Sequence, residues 1–201
     1  ARASSLGLKT AIVEKDPSLG GTCLHRGCIP TKALLHAADT YDEIKHGSQI
    51  GIKTSGVEVD WSEIQKYKDR IVNMNAGGVA HLMKSKKIDV YNGFGSLKDK
   101  NTVLVFSEDG IKETLIFKQL VIATGSRPYR PEILDFNHPR VFDSDKILDL
   151  DFPIQKIIIY GAGVIGCEYA SIFIGLDHKV DLINTQHKLL SYLDEDRKSV
   201  V

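Results

Sequence analysis

Cys23 and Cys28 carry the chemistry most open to this chain. They stand within Gly20-Gly21-Thr22-Cys23-Leu24-His25-Arg26-Gly27-Cys28-Ile29-Pro30-Thr31-Lys32, with four residues between them. A disulfide needs Cα atoms no more than about 7 Å apart. Five steps along a regular helix already rise roughly 7.5 Å. If the two pair, at least one therefore lies outside a regular helix. Pro30 suits a first helical turn, where its missing N–H costs nothing. The expected arrangement is a helix starting near Cys28 to Pro30, with Cys23 in the Gly-rich loop before it. A helix N-terminus favours a thiolate, so the stretch reads as a redox-active dithiol. A metal site would need further ligands, and only His25 is near. Two unrelated buried thiols are the remaining reading.

A second constellation is Gly161-Ala162-Gly163-Val164-Ile165-Gly166, set between an apolar strand pattern and a helical one. In such a turn Gly161 permits the tight bend and Gly163 lets a pyrophosphate approach the backbone. Gly166 lets helix and strand pack closely. The helix N-terminus then faces the phosphates. An acid about 20 residues on would bind a ribose; here the neutral Asn184 holds that place, and Asp181 comes too early. Asn184 would not repel a 2′-phosphate, which His187 or Lys188 could meet, so both NAD and NADP remain open. Asn184 could equally be a simple turn residue. Glu14 closes an earlier apolar run as a ribose-binding acid would. Cys167 reads as a small core residue, and the remaining histidines show no ligand spacing.

The elements that must hold these residues follow from periodicity. Leu8 to Val13 has the pattern of a buried parallel strand, preceded by the end of a helix that Gly7 stops. A helix carries Ala33, Leu34, Ala38, Tyr41 and Ile44 and ends at Gly47. Residues 47–60 read as a linker. Residues 61–87 form a long helix that Gly77-Gly78 interrupts. Asp89-Val90-Tyr91 is a strand, Gly93-Phe94-Gly95 a tight turn, and residues 102–106 and 113–117 a hairpin around Ser107 to Gly110. Leu120 to Ala123 reads as a buried strand running into Thr124-Gly125. Asp143, Ser144 and Asp145 offer helix caps. Lys156 to Tyr160 is a strand, Val164 to Ile174 a helix and Lys179 to Ile183 a strand. Asp194-Glu195-Asp196 would cap another helix. The expected class is α/β.

Composition bounds the partners. With 26 basic and 26 acidic residues the formal charge is zero, which gives no electrostatic case for nucleic acid or an anionic membrane. The apolar run 157–176 contains Glu168 and glycines, so it is not read as a membrane span. Three cysteines are too few for a secreted disulfide scaffold and point to a cytoplasmic, reducing compartment.

Together these residues resemble the flavin-dependent pyridine nucleotide–disulfide oxidoreductases. Residues 20–35 (GGTCLHRGCIPTKALL) resemble the redox loop of the dihydrolipoyl dehydrogenases, 121–128 (VIATGSRP) the family's second flavin stretch, and 160–171 (YGAGVIGCEYAS) its nicotinamide-dinucleotide fingerprint. Residues 139–193 also resemble the soluble pyridine nucleotide transhydrogenases, in which the active disulfide is typically missing.

The resemblance implies FAD/NAD(P)-binding Rossmann-like domains of three layers, truncated at both ends: residues 1–127 an FAD domain without its first strand and GxGxxG, and 128–201 the start of an NAD(P) domain. It implies that Glu14 binds the FAD ribose, that Gly21 and Thr22 lie along the pyrophosphate, that Gly95 touches adenine, and that Thr124 and Gly125 make a second flavin contact. Cys23 would be the interchange thiol, Cys28 would face the flavin, and Lys32 would sit near its N5. Gly161, Gly163, Val164, Ile165 and Gly166 would hold NAD or NADP, with Glu168 near the nicotinamide and Asn184 near the ribose. No metal is implied. The expected reaction is oxidation of dihydrolipoamide with NAD+, the alternatives being transhydrogenation or a non-catalytic binding module. The expected partners are a second copy in a homodimer and the lipoyl-bearing acyltransferase of a 2-oxo acid dehydrogenase complex.

Overall fold

The computed structural model describes residues 1–152, 154–187 and 190. The expected cap at Asp194-Glu195-Asp196, and Lys188, lie outside the described residues. The chain forms two units, passing between them at 25/26, 71/72 and 127/128.

In the first unit, helix α1 (Arg2–Ser5) ends before Gly7, whose φ of +84° turns the chain into strand β1 (Ala11–Glu14). β1 pairs in parallel with β2 (Asp89–Asn92), Ala11 opposite Asp89 and Glu14 opposite Asn92. It is shorter than the apolar run suggests and only half-buried. The bend expected over residues 93–95 is made by Gly93 alone, since strand β3 (Phe94–Asp99) already begins at Phe94. Gly93 has φ +154°, and a Cβ there would stand 2.4 Å from the Phe106 carbonyl. β3 continues into β4 (Thr102–Ser107) and β5 (Gly110–Ile116) as an antiparallel meander around the expected hairpin turn. Alternation buries Val103 and Val105 on one face of β4.

The expected strand at Leu120–Ala123 is absent. These residues have no regular structure, and Val121 and Ile122 are 86% and 72% exposed. A strand exists only by pairing its backbone, and none of the described strands pairs with this segment.

The second unit is built on helix α3 (Cys28–His46), followed by a 3-10 turn over Gly47–Ile50 within the expected linker. Helix α4 (Trp61–Ser85) begins in this unit and runs unbroken through Gly77 and Gly78. Two glycines cost about 1 kcal/mol each in a helix, too little to break a 25-residue helix with good formers on both sides. A 3-10 turn over Lys146–Asp149 then leads to strand β6 (Lys156–Tyr160), helix α5 (Val164–Gly175) and strand β7 (Lys179–Ile183), with β6 and β7 parallel.

The core joins Leu34 and Ala38 of α3, Leu148 of the 3-10 turn over Lys146–Asp149 and Leu150 just after it, and Ile172 and Phe173 of α5. Gly175 lets α5 approach α3, because a Cβ there would lie 3.1 Å from that of Ala38. The start of α4 is tied on by three donors at helical spacing. Trp61 Nε1 and Gln65 Nε2 donate to the Leu150 carbonyl at 2.7 and 3.1 Å, and Lys68 Nζ donates to that of Leu148 at 2.7 Å.

Candidate functional site

Gly20 and Gly21, with φ of +133° and +63°, turn the chain into a short helix, α2 (Gly21–Arg26). Cys23 therefore sits in a helix and not in the loop expected. The residues after Gly21 contain no breaker until Gly27, and Leu24 anchors the segment by burial. Gly27, at φ −146° and ψ −114°, resets the direction before α3 starts at Cys28, with Pro30 in its first turn. Two helices separated by one non-helical residue thus replace a single continuous one. The S–S bond that a continuous helix would forbid is formed: Cys23 and Cys28 are disulfide-bonded, while Cys167 is free. His25 bonds the Leu19 carbonyl through Nε2 at 3.1 Å. Among the described residues no cluster of three His, Cys, Asp or Glu side chains could hold a metal.

The glycine turn between β6 and α5 has the expected division of labour. Gly161, at φ +112°, donates its N–H to the Ile183 carbonyl at 2.9 Å, locking the turn to the end of β7. A Cβ on Gly166 would stand 1.9 Å from the Gly161 carbonyl oxygen, so only glycine lets α5 pack on the turn. Beyond Gly163 the space is open, and no side chain caps the helix there. Val164 and Ile165 are exposed in the first turn. Uncapped N–H groups facing open space fit a dinucleotide pyrophosphate. Asn184 follows β7 and donates through Nδ2 to the Gln186 carbonyl at 2.7 Å. Asp181 is taken up by Lys156 at 2.5 Å.

Lys32, one turn after Cys28, pairs with Glu168 of α5. Their neighbours Thr31 and Tyr169, which the sequence did not single out, are buried behind them. The Tyr169 hydroxyl donates to the Ser144 carbonyl at 3.2 Å. Burial pushes the Tyr169 phenol well up, and the phenol stays a donor at neutral pH. Ser144 is itself held by the predicted cap, because Asp143 Oδ1 accepts from the backbone N–H groups of Asp145 and Lys146 at 3.1 and 2.8 Å. Arg130 grips the other Asp143 oxygen through Nε and Nη2 at 2.8 and 2.5 Å. Burial alone would raise the Asp143 carboxyl, but these donors hold it below the usual range.

In the first unit, Glu14 ends β1 with its carboxylate accepting from the Asp16 N–H at 3.0 Å and its carbonyl accepting from Gly93 at 2.8 Å. Gly95 faces β1, where a Cβ would approach Val13 to 3.2 Å. Gly125, at φ +74°, lies beside Thr22, whose hydroxyl would be 3.9 Å from a Cβ placed there. Thr22 and Gly125 thus meet, although roughly a hundred residues separate them, and Thr124 precedes Gly125 in the same irregular segment.

A family model described as pyridine nucleotide-disulphide oxidoreductase matches residues 1–201. The chain belongs to that family. Membership implies binding of FAD and NAD(P) and a mixed α/β Rossmann-like fold. Among curated relatives, the soluble pyridine nucleotide transhydrogenase of Pectobacterium atrosepticum is 43% identical over 94% of this chain. Its counterpart from Yersinia pestis is 44% identical over the same share. Of the solved structures, the Cu(II) complex of the HOCl-induced flavoprotein disulfide reductase RclA from Escherichia coli superposes with a TM-score of 0.81 at 26% identity over 97% of the chain. The chain spans about 41% of the length of each. The transhydrogenase name that these curated relatives carry backs the expected alternative, transhydrogenation, better than the dihydrolipoyl dehydrogenase reading. No helix among the described residues is long and apolar enough to cross a membrane.

Proposed function

We propose that this chain is the nucleotide-handling part of a cytoplasmic flavoprotein that transfers reducing equivalents from NADPH to NAD+. What supports this reading is the 43–44% identity to soluble transhydrogenases across 94% of the chain. In it, residues 1–127 belong to the FAD domain and 128–201 open the NAD(P) domain. The bound FAD supplies a two-electron carrier between the nucleotides. Glu14, Gly21, Thr22, Gly95, Thr124 and Gly125 hold it, with Lys32 toward its ring. The turn Gly161 to Gly166 receives the nicotinamide dinucleotide, Glu168 lies toward the nicotinamide, and Asn184 tolerates either ribose because it brings no negative charge.

The Cys23–Cys28 disulfide favours a second reading, oxidation of a dithiol such as dihydrolipoamide, in a homodimer serving a lipoyl-bearing acyltransferase. A substrate thiolate attacks Cys23 Sγ, and the S–S bond breaks with its electron pair leaving on Cys28 Sγ. The substrate's second thiolate then displaces Cys23 as thiolate, which closes the substrate disulfide.

The full-length flavoprotein decides between them. With Cys28→Ser, NADPH-to-NAD+ transfer should stay within about twofold of wild type, whereas the loss of a reacting sulfur would lower dihydrolipoamide oxidation by about a hundredfold or more. Wild-type protein that oxidises dihydrolipoamide but transfers no hydride between nucleotides would replace the first reading by the second. Full-length protein that binds no flavin would overturn both and leave a non-catalytic module.

A further inference from the structure

Residues 15–20 bring the chain from β1 to α2 without regular structure. Among the described residues, no backbone-to-backbone hydrogen bond outside the regular elements involves residues 17–20. Pro17, Ser18 and Leu19 border a cavity of about 570 Å3, whose wall also includes Asn73 and Gly77 of α4, so packing does not support the loop there. Gly20 and Gly21 then bend the chain at φ +133° and +63°, and glycine loses more freedom than any other residue when its conformation is fixed. A loop of this kind keeps one shape only where side chains hold it. Two side chains hold this one. Buried Leu24 packs against Gly20, where an added Cβ would lie 2.7 Å from the leucine Cδ1. The His25 ring reaches back to the Leu19 carbonyl, with Nε2 3.1 Å from the oxygen. A carbonyl only accepts, so Nε2 carries the proton. The bond closes a loop from Leu19 to His25 that contains both glycines, Thr22 and Cys23. Thr22, inside that loop, is the residue that meets Gly125.

We propose that His25 is a positioning residue: its Nε2–H, donated to the Leu19 carbonyl, fixes the Gly20–Gly21 bend and with it the place of Gly21 and Thr22. That those two residues meet FAD rests on the functional reading above; that His25 fixes the bend does not. Substitutions distinguish the two ring nitrogens. Glutamine carries its amide nitrogen about as far from Cα as Nε2 and donates in its place. The asparagine amide nitrogen falls about where Nδ1 stands, too short for the carbonyl, and leucine has no donor.

Two measurements on the full-length flavoprotein test the proposal. In crystal structures, the backbone from Leu19 to Thr22 should be the same in wild type and His25→Gln, with the side-chain bond to the Leu19 carbonyl kept, and should change in His25→Asn and His25→Leu. An unchanged bend in either of the last two would overturn the proposal whatever the flavin affinity. On dilution, where release of FAD is read from the rise in its fluorescence, His25→Asn and His25→Leu should each weaken FAD binding by about fivefold, the scale of one neutral hydrogen bond. His25→Gln should stay within about twofold of wild type. A bend or an affinity that suffers equally in His25→Gln would assign the effect to the bulk of the imidazole and overturn the proposal as well. A changed bend with unchanged affinity would uphold the role of His25 and defeat the placement of Gly21 and Thr22 on FAD. If His25→Leu fails to fold, the contrast between His25→Gln and His25→Asn decides alone. Wild-type protein that loads no flavin would defeat the functional reading while leaving the crystallographic test in force.

Discussion

At Asn184 one neutral amide stands where an acid would select against a 2′-phosphate, and its Nδ2 donates to the carbonyl of Gln186. Asn184→Glu should lower kcat/KM for NADPH relative to NADH by about tenfold, because a carboxylate repels the phosphate and accepts from a free ribose. An unchanged ratio between the two nucleotides would show that Asn184 lies off the ribose. Asp143 is a residue whose charge matters to the fold. Its folded carboxyl is depressed by the Lys146 N–H and Arg130 against the opposing effect of burial. A depressed acid contributes stability above its unfolded value near 3.9, and that contribution is lost as pH falls through the lower folded value. Thermal melts of the full-length protein should therefore show a stability difference between wild type and Asp143→Asn that is full near neutral pH and shrinks below about pH 4. A difference independent of pH would assign the effect to lost packing.

Glycines in two helices show how position decides an element's tolerance. Gly78 has open space where a Cβ would go and sits inside α4, so Gly78→Ala should stabilise by about 0.5–1 kcal/mol. Gly166 has a backbone oxygen 1.9 Å from that point, so Gly166→Ala should destabilise by about 3 kcal/mol or more and release the dinucleotide. Chemical denaturation of the two variants gives opposite signs, and equal signs would refute the packing argument. This contrast also marks what was legible from sequence. The β6–α5–β7 unit could be read because its requirements are local: a tight turn, a close approach and a helix start each demand a residue type at a fixed offset. The Tyr169–Ser144 bond could not, because Tyr169 is an ordinary helical residue until α5 packs beside the segment that holds Ser144. Cys23 was misplaced for a related reason. The length limit for a disulfide rules out one continuous helix, but it does not distinguish a loop from two helices broken at Gly27.

For the whole molecule, the segment 120–123 is the place where the structure is least self-sufficient. Its apolar run is what a buried strand requires, yet Val121 and Ile122 face water and no described strand lies beside them. Contiguous exposed apolar surface of this kind marks an interaction site, and a bare strand backbone invites pairing. The curated relatives are more than twice as long as this chain, which spans about 41% of them. The local sequence specified the strand's composition but could not supply the neighbour on which a strand depends. Hydrogen exchange tests this directly. In the 201-residue chain, the amides of Val121, Ile122 and Ala123 should exchange within seconds, as unpaired exposed amides do. In the full-length flavoprotein the same amides should be protected by a factor of about a thousand or more, as in a paired interior strand. Equal, fast exchange in both would mean that the segment is a loop by design and that its apolar character serves a partner outside the chain. Protection in the short chain alone would show that it finds a substitute strand, most simply in a second copy, which a concentration-dependent sedimentation profile would reveal.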